Sequence, residues 1–153
     1  MCIRDRPGSG WLPAGVTLPL TPGAMAMFTL VLSLGTAVWA AWAARNAIRS
    51  QTYGALGLTI LLGIAYVNQI FSLYRQMGLA VAETRQAVLI YGVTGAHLIM
   101  TVGGLIYFAF MTIRALGGQL TGRDSEALNA AALFWFVTVG IYSVIWITIF
   151  VLK

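Results

Sequence analysis

Residues 86–113 read QAVLIYGVTGAHLIMTVGGLIYFAFMTI, with no charged side chain from end to end. A hydrocarbon slab about 30 Å thick is crossed by about 20 apolar residues in helical form, so this stretch supplies a membrane span. Three more uncharged stretches, 7–44, 50–74 and 127–152, accompany it. Each is long enough for the same purpose. The pattern predicts an all-α membrane protein, an antiparallel up-and-down bundle of four transmembrane helices, with spans at about 24–48, 53–77, 86–115 and 127–152.

Composition points the same way. With 59% hydrophobic and 8% charged residues and a mean hydropathy of +0.86, a water-soluble fold of this size would carry more apolar surface than it could bury. The net charge of +5 does not call for a nucleic-acid partner. The basic residues lie at span ends, where Arg and Lys set orientation and reach for headgroups. The single cysteine, Cys2, excludes an intrachain disulfide framework and a thiolate metal cluster.

Residues 1–23 are expected to form a non-helical lead-in. They hold all four prolines, Pro7, Pro13, Pro19 and Pro22, with Trp11 as an interfacial anchor. The first six residues, Met1-Cys2-Ile3-Arg4-Asp5-Arg6, lack the apolar core of a signal peptide. They read as a sequencing or gene-calling scar on an N-terminally truncated chain. Helical structure is expected from Thr21-Pro22, a cap followed by proline in the first turn.

In the first span Ala37, Ala40, Ala41 and Ala44 form small-residue stripes that permit close helix contact. The second carries Gly54, Gly57 and Gly63, then Asn68, Gln69 and Ser72. The third places Thr94, Thr101 and Gly104 at helical spacing about His97. Gly117-Gly118 is a stop signal, and Ser125-Glu126 suits the start of the fourth span. Short loops make sequential spans antiparallel neighbours. Loops one and three hold Arg45, Arg49, Arg114 and Arg123 against Arg75, Arg85 and Lys153 on the other side. The positive-inside rule therefore puts these two loops in the cytoplasm and both termini outside.

A haem, di-metal or zinc centre needs several imidazole, carboxylate or thiolate ligands, and the chain has one histidine. No catalytic, metal-binding or cofactor-binding residue is assigned. A proton relay or transporter keeps ionisable groups at mid-membrane, and only His97 lies there. Its simplest reading is a helix-packing donor to a carbonyl or hydroxyl of a neighbouring span; the competing reading is a proton-linked or partner-contacting role. Asn68 and Gln69 read as interhelical hydrogen-bonding residues before they read as a ligand site. Met100, Met111, Phe134, Trp135 and Trp146 read as packing and interface residues.

The order of residues then resembles a known family. The segment Tyr91-Gly92-Val93-Thr94-Gly95-Ala96-His97, followed by Gly104, Ile113-Arg114 and Ala130-Ala131-Ala132-Leu133-Phe134-Trp135, is similar to the end of subunit III of haem-copper terminal oxidases. Gly57-Leu58-Thr59, Leu62-Gly63 and Tyr74 resemble that family's preceding span, and Trp11-x-Pro13 with Leu18-Pro19 its run-in. The resemblance covers roughly 11–153. Departures fall on ionisable groups. The family's second histidine corresponds to Met100, its membrane carboxylate to Leu73, the His and Asp of its last span to Phe136 and Val139, and the acidic residue before the alanines to Asn129.

The resemblance implies a non-catalytic accessory subunit that binds no haem or copper itself. Those cofactors belong to the partner catalytic subunit I, with subunit II in the same complex. Such a subunit holds membrane lipids in a cleft and supports proton uptake and durability of an oxidase fed by cytochrome c or quinol. It also implies a bacterial inner membrane, a C-terminus outside, and one or three missing N-terminal helices. Two alternatives stay open: a subunit-III-like protein associated with nitric oxide reductase, and a stand-alone small carrier or scaffold. A carrier would use Gly103-Gly104 beside His97, the only candidate for a broken helix at the midplane.

Overall fold

The computed structural model describes residues 20–77, 85–119 and 125–151. They form four helices: α1 (Leu20–Arg45), α2 (Arg49–Met77), α3 (Arg85–Leu116) and α4 (Ser125–Trp146), the last continuing into a π-helical turn, Ile147–Val151. All four are long and apolar enough to cross a membrane, so the chain is a multi-pass membrane protein with the all-α architecture that its hydropathy predicts.

Hydrogen-bonded pairs give the topology. Thr36 meets Thr59 and Thr29 meets Gln69 between α1 and α2. Tyr66 meets His97 and Tyr74 meets Thr94 between α2 and α3. His97 meets Thr138 and Tyr107 meets Ala127 between α3 and α4. Trp135 and Ser143 of α4 return to Ser33 and Met27 of α1. In every pair of helices one number rises as the other falls, so neighbours are antiparallel. The bundle closes as a ring in which α1 packs on α2 and α4, and α3 on the same two.

Three element boundaries differ from those expected by three or more residues, one of them the end of α1, at Arg45 where 48 is expected. α1 begins at Leu20, so residues 20–23 belong to the helix and not to the lead-in. Pro22 is accommodated because the first turn needs no backbone donor at that position. α2 begins at Arg49, four residues before the expected start, which leaves only residues 46–48 to reverse the chain. Trp11, the other three prolines, Cys2, Arg123 and Lys153 lie outside the described residues.

The C-terminal ends of α1 and α3 are closed alike. Beyond α1, Ile48 N–H donates to Ala43 and Ala47 N–H to Ala44, with Ala47 at φ 56°. Beyond α3, Gln119 N–H donates to Arg114 and Gly118 N–H to Ala115, with Gly118 at φ 72°. Both are Schellman caps, which satisfy the last carbonyls through one residue in the left-handed region.

Inside the ring, small residues set the spacing. Ala26, Ala37, Ala40, Ala41 and Ala44 of α1 are buried, which lets α2 and α4 approach closely. At the far end of α4 the π-helical turn brings Ile149 and Phe150 inward together. The Phe150 ring lies where a side chain on Gly23 would otherwise sit, with Cζ 2.7 Å from the position of a Cβ. Large apolar side chains such as Phe28, Leu61, Ile99, Ile106 and Leu133 point outward, an arrangement that lipid solvates without penalty.

Candidate functional site

Polar atoms in a hydrocarbon medium must find partners within the protein, and here they converge on His97. Its Nε2 lies 2.8 Å from the Thr138 carbonyl oxygen and its Nδ1 lies 3.0 Å from the Tyr66 hydroxyl. One buried imidazole thus joins α2, α3 and α4. Tyr142 packs edge-on against Tyr66 at 5.2 Å and tilted against His97 at the same separation. The Tyr142 hydroxyl is buried and has no hydrogen-bond partner among the described residues.

The neighbours of His97 on α3 take separate roles. Thr94 accepts from the Tyr74 hydroxyl at 2.6 Å and donates to the Ile90 carbonyl. Thr101 is fully buried and bonds back to the carbonyl of His97, within its own helix. Gly104 has a different use: a Cβ there would sit 2.8 Å from Trp135 Cζ3. Trp135 is fully buried, lies edge-on to Phe108 at 5.4 Å, and donates from Nε1 to Ser33 Oγ at 2.9 Å. Glycine at 104 is therefore the space into which the indole fits.

Asn68 and Gln69 part company because successive helical residues point about 100° apart. Gln69 donates from Nε2 to Thr29 Oγ1 at 3.2 Å, while its Oε1 is buried without a partner among the described residues. Asn68 is exposed and lines a groove with Thr21, Met25 and Ser72, to which the half-buried Gln69 also contributes. The structure brings Thr94, His97, Thr101 and Gly104 onto the inner side of α3, and leaves Asn68 on the periphery.

The partners Tyr66, Thr138, Tyr142 and Ser33 were not singled out from the sequence. A mid-span tyrosine is a weak signal by itself, although its hydroxyl needs a partner when buried. A backbone carbonyl gives no signal at all. The helix α3 runs unbroken through Gly103-Gly104, with the Gly104 face filled by Trp135, so the broken-helix geometry of a carrier site is not formed there. Among the described residues no three His, Cys, Asp or Glu side chains converge on a metal position. His97 has both ring nitrogens engaged within the bundle, so ligating a haem iron would break one of those bonds.

The two segments that carry the family resemblance face one another. His97 and Gly104 on α3 meet Thr138 and Trp135 on α4. The sequence profile described as Cytochrome c oxidase subunit III matches residues 4–153. The chain belongs to that family. Curated relatives named Cytochrome c oxidase subunit 3 agree. The protein of Formosania lacustris is 25% identical over 147 residues, covering 94% of this chain and 54% of its own length. That of Papio hamadryas is 28% identical over 149 residues, with 95% and 55% covered, and the Homo sapiens protein is 26% identical over 147, with 94% and 54% covered. The chain spans just over half the length of the curated relatives it matches.

Against that family background, the positions that depart from the resemblance are informative. Leu73 and Val139 are each 4% exposed, so both lie inside the bundle, where the resemblance implies ionisable side chains. Leu73 sits against a small hollow lined by Tyr74, Met77, Ile90, Thr94, Ile149 and Phe150. Phe136 faces outward, while Met100 and Asn129 are half-buried.

Proposed function

We propose that this chain is a non-catalytic, accessory subunit-III-like component of a haem-copper terminal oxidase in aerobic respiratory electron transport. The observation that carries the reading is the family match across residues 4–153. The site geometry supports it. The one histidine in the membrane interior is committed to interhelical bonds on both nitrogens, and such bonds hold a scaffold rather than run chemistry.

In this reading the haem and copper lie in a catalytic subunit I, with subunit II alongside, and oxygen is reduced there with electrons from cytochrome c or quinol. The present chain packs beside them with membrane lipids. It supports proton uptake and durability by shaping the partner, since its own interior holds Leu73 and Val139 in place of proton-carrying groups. The bacterial inner membrane is the proposed location, with loops one and three on the cytoplasmic side and the C-terminus outside, on the basis of Arg45, Arg49 and Arg114 at one end of the bundle and Arg75 and Arg85 at the other.

The test is a mild-detergent pull-down of the tagged chain from its native membrane, read by visible difference spectrum and mass spectrometry. Haem bands and a stoichiometric multi-span catalytic subunit support the reading, and the identity of that subunit separates an oxidase from a nitric oxide reductase. A colourless chain without a stoichiometric partner would overturn it in favour of a stand-alone scaffold.

A further inference from the structure

Helix faces in contact with hydrocarbon carry apolar side chains, and three of the four helices keep to that rule. Among the described residues, the exposed positions of α1 from Phe28 to Val38, of α3 from Val93 to Phe110 and of α4 from Leu133 to Val144 are all apolar or glycine. On α2 the rule fails at Asn68, which is exposed. The uncharged stretch 50–74 has its midpoint at Leu62, and the six residues from there to Asn68 rise about 9 Å. The hydrocarbon half-thickness is about 15 Å. The Asn68 carboxamide therefore lies inside the hydrocarbon layer, on a side chain too short to reach the headgroups.

That carboxamide forms no hydrogen bond among the described residues. The adjoining groove of about 320 Å³, bounded by Thr21, Met25, Gln69, Ser72 and Gln76, adds the unpartnered Oε1 of Gln69. Acyl chains offer neither donor nor acceptor, so groups at this depth are satisfied by another polypeptide. A second feature says which. Gly54, Leu58, Leu61, Ala65, Asn68 and Ser72 follow one another at alternating steps of four and three residues, the spacing of a coiled-coil seam. All are exposed except Ala65, which is half-buried. The seam is uncharged throughout, and its small residues Gly54, Ala65 and Ser72 let a facing helix approach closely.

We infer that this face of α2 is a self-association surface, on which a second copy of the chain docks about a twofold axis normal to the membrane. Such an axis sets equal depths opposite one another, so Asn68 meets Asn68 of the second copy. A carboxamide is donor and acceptor at once, and the two exchange reciprocal hydrogen bonds. The same symmetry opposes like with like, which an uncharged seam permits without repulsion. A polar residue within such a seam also fixes its register. The outer faces of α3 and α4 stay clear of the contact. The inference rests on the membrane-spanning fold and not on the oxidase assignment.

The experiment is thiol crosslinking of the full chain in its native membrane, in a Cys2→Ser background. Leu61 on the seam and Ile106 on α3 are 65% and 66% exposed, so they offer equal access to an oxidant. Leu61→Cys is expected to give a disulfide-linked dimer of the 16.4 kDa chain, and Ile106→Cys is not. A photocrosslinker at position 58 should capture a second copy, identified by mass spectrometry from co-expressed copies with different tags. Energy transfer between donor- and acceptor-labelled chains in bilayers measures the strength. Asn68→Leu weakens association about tenfold, as expected for interhelical hydrogen bonds, and Asn68→Gln, which keeps the amide, recovers most of it. Equal dimer yield at the two cysteine positions, capture of lipid or of a different polypeptide at position 58, or undiminished association in Asn68→Leu overturns the inference. Leu61 and Asn68 lie on the surface, so their variants leave the packing about His97 in place.

Discussion

The Nε2 of His97 and the carbonyl oxygen of Thr138 are 2.8 Å apart, and they tie α3 to α4 inside the bundle. A carbonyl can only accept, so Nε2 carries the proton, and Nδ1 is left to accept from the Tyr66 hydroxyl at 3.0 Å. The ring is held in one tautomer by two helices at once. Replacing His97 by Leu removes both bonds and strands a buried hydroxyl. The expected cost is about 0.5–2 kcal/mol, in the range of intramembrane hydrogen bonds. Tyr66→Phe removes one bond and should cost about 0.6 kcal/mol. Reversible unfolding in mixed detergent measures both. In the double variant the costs should sum to less than the two singles; strict additivity would mean that the two side chains do not interact.

Gly104 and Gly103 are adjacent on α3 but should respond in opposite ways to the same substitution. A Cβ on Gly104 meets Trp135 Cζ3 at 2.8 Å and Phe134 Cε1 at 3.1 Å. Trp135 cannot retreat without giving up its bond to Ser33. Gly104→Ala is therefore expected to destabilise by about 1–3 kcal/mol through overpacking. Around Gly103 nothing lies within 4 Å of a built Cβ, so Gly103→Ala should be neutral or stabilising by up to about 1 kcal/mol from helix propensity. Thermal unfolding of the two variants side by side checks this, and a similar loss in both would refute the packing of Trp135 against Gly104.

The two Schellman caps allow a second paired comparison. Ala47 occupies the left-handed region at φ 56°, where an L side chain is disfavoured by about 1–2 kcal/mol and glycine is not. Ala47→Gly should raise stability by about 0.5–1 kcal/mol, after the added entropy of the unfolded chain is subtracted. Gly118, at φ 72° with nothing crowding its Cβ position, should lose about 1 kcal/mol on Gly118→Ala for the same conformational reason. A lower midpoint for Ala47→Gly would show that the loop does not hold this cap.

Span count and bundle class were legible because charge is excluded from hydrocarbon, and the four uncharged stretches mark that exclusion directly. Helix rotation was far less legible. In a soluble helix the polar face points outward, but here Leu61 and Ile106 face outward while Thr59 and Thr101 are fully buried. Apolar periodicity therefore cannot distinguish lipid from core. Small and hydroxyl-bearing residues carry that information instead, which is why Ala37, Ala40 and Ala44 were readable. The partners of His97 were not. Tyr66 lies 31 positions away on another helix, and the Thr138 carbonyl is a group that every residue owns. Asn68 and Gln69 look alike in sequence, and only the rotation of α2 assigns Gln69 to Thr29 and Asn68 to the surface.

Leu73 allows the divergence of the membrane interior to be tested chemically. The sequence of α2 contains no aspartate or glutamate, so a carboxyl-reactive carbodiimide should modify no residue within Arg49–Met77. Peptide mapping after labelling would detect any such adduct, and finding one would place a carboxylate where the helix has none. The engineered counterpart, Leu73→Glu, puts a carboxyl into a hollow lined by apolar side chains together with Tyr74 and Thr94. Those two hydroxyls already bond to each other at 2.6 Å, and Thr94 also donates to Ile90. The new group has no ready partner, and the variant should lose about 2–3 kcal/mol, near the insertion cost of an acidic side chain within a span. Tolerance of Leu73→Glu without loss of stability would show that α2 and α3 yield at this point or admit water. In that case carbodiimide reactivity of the new carboxyl should follow, because access for the reagent and relief for the charge come through the same opening.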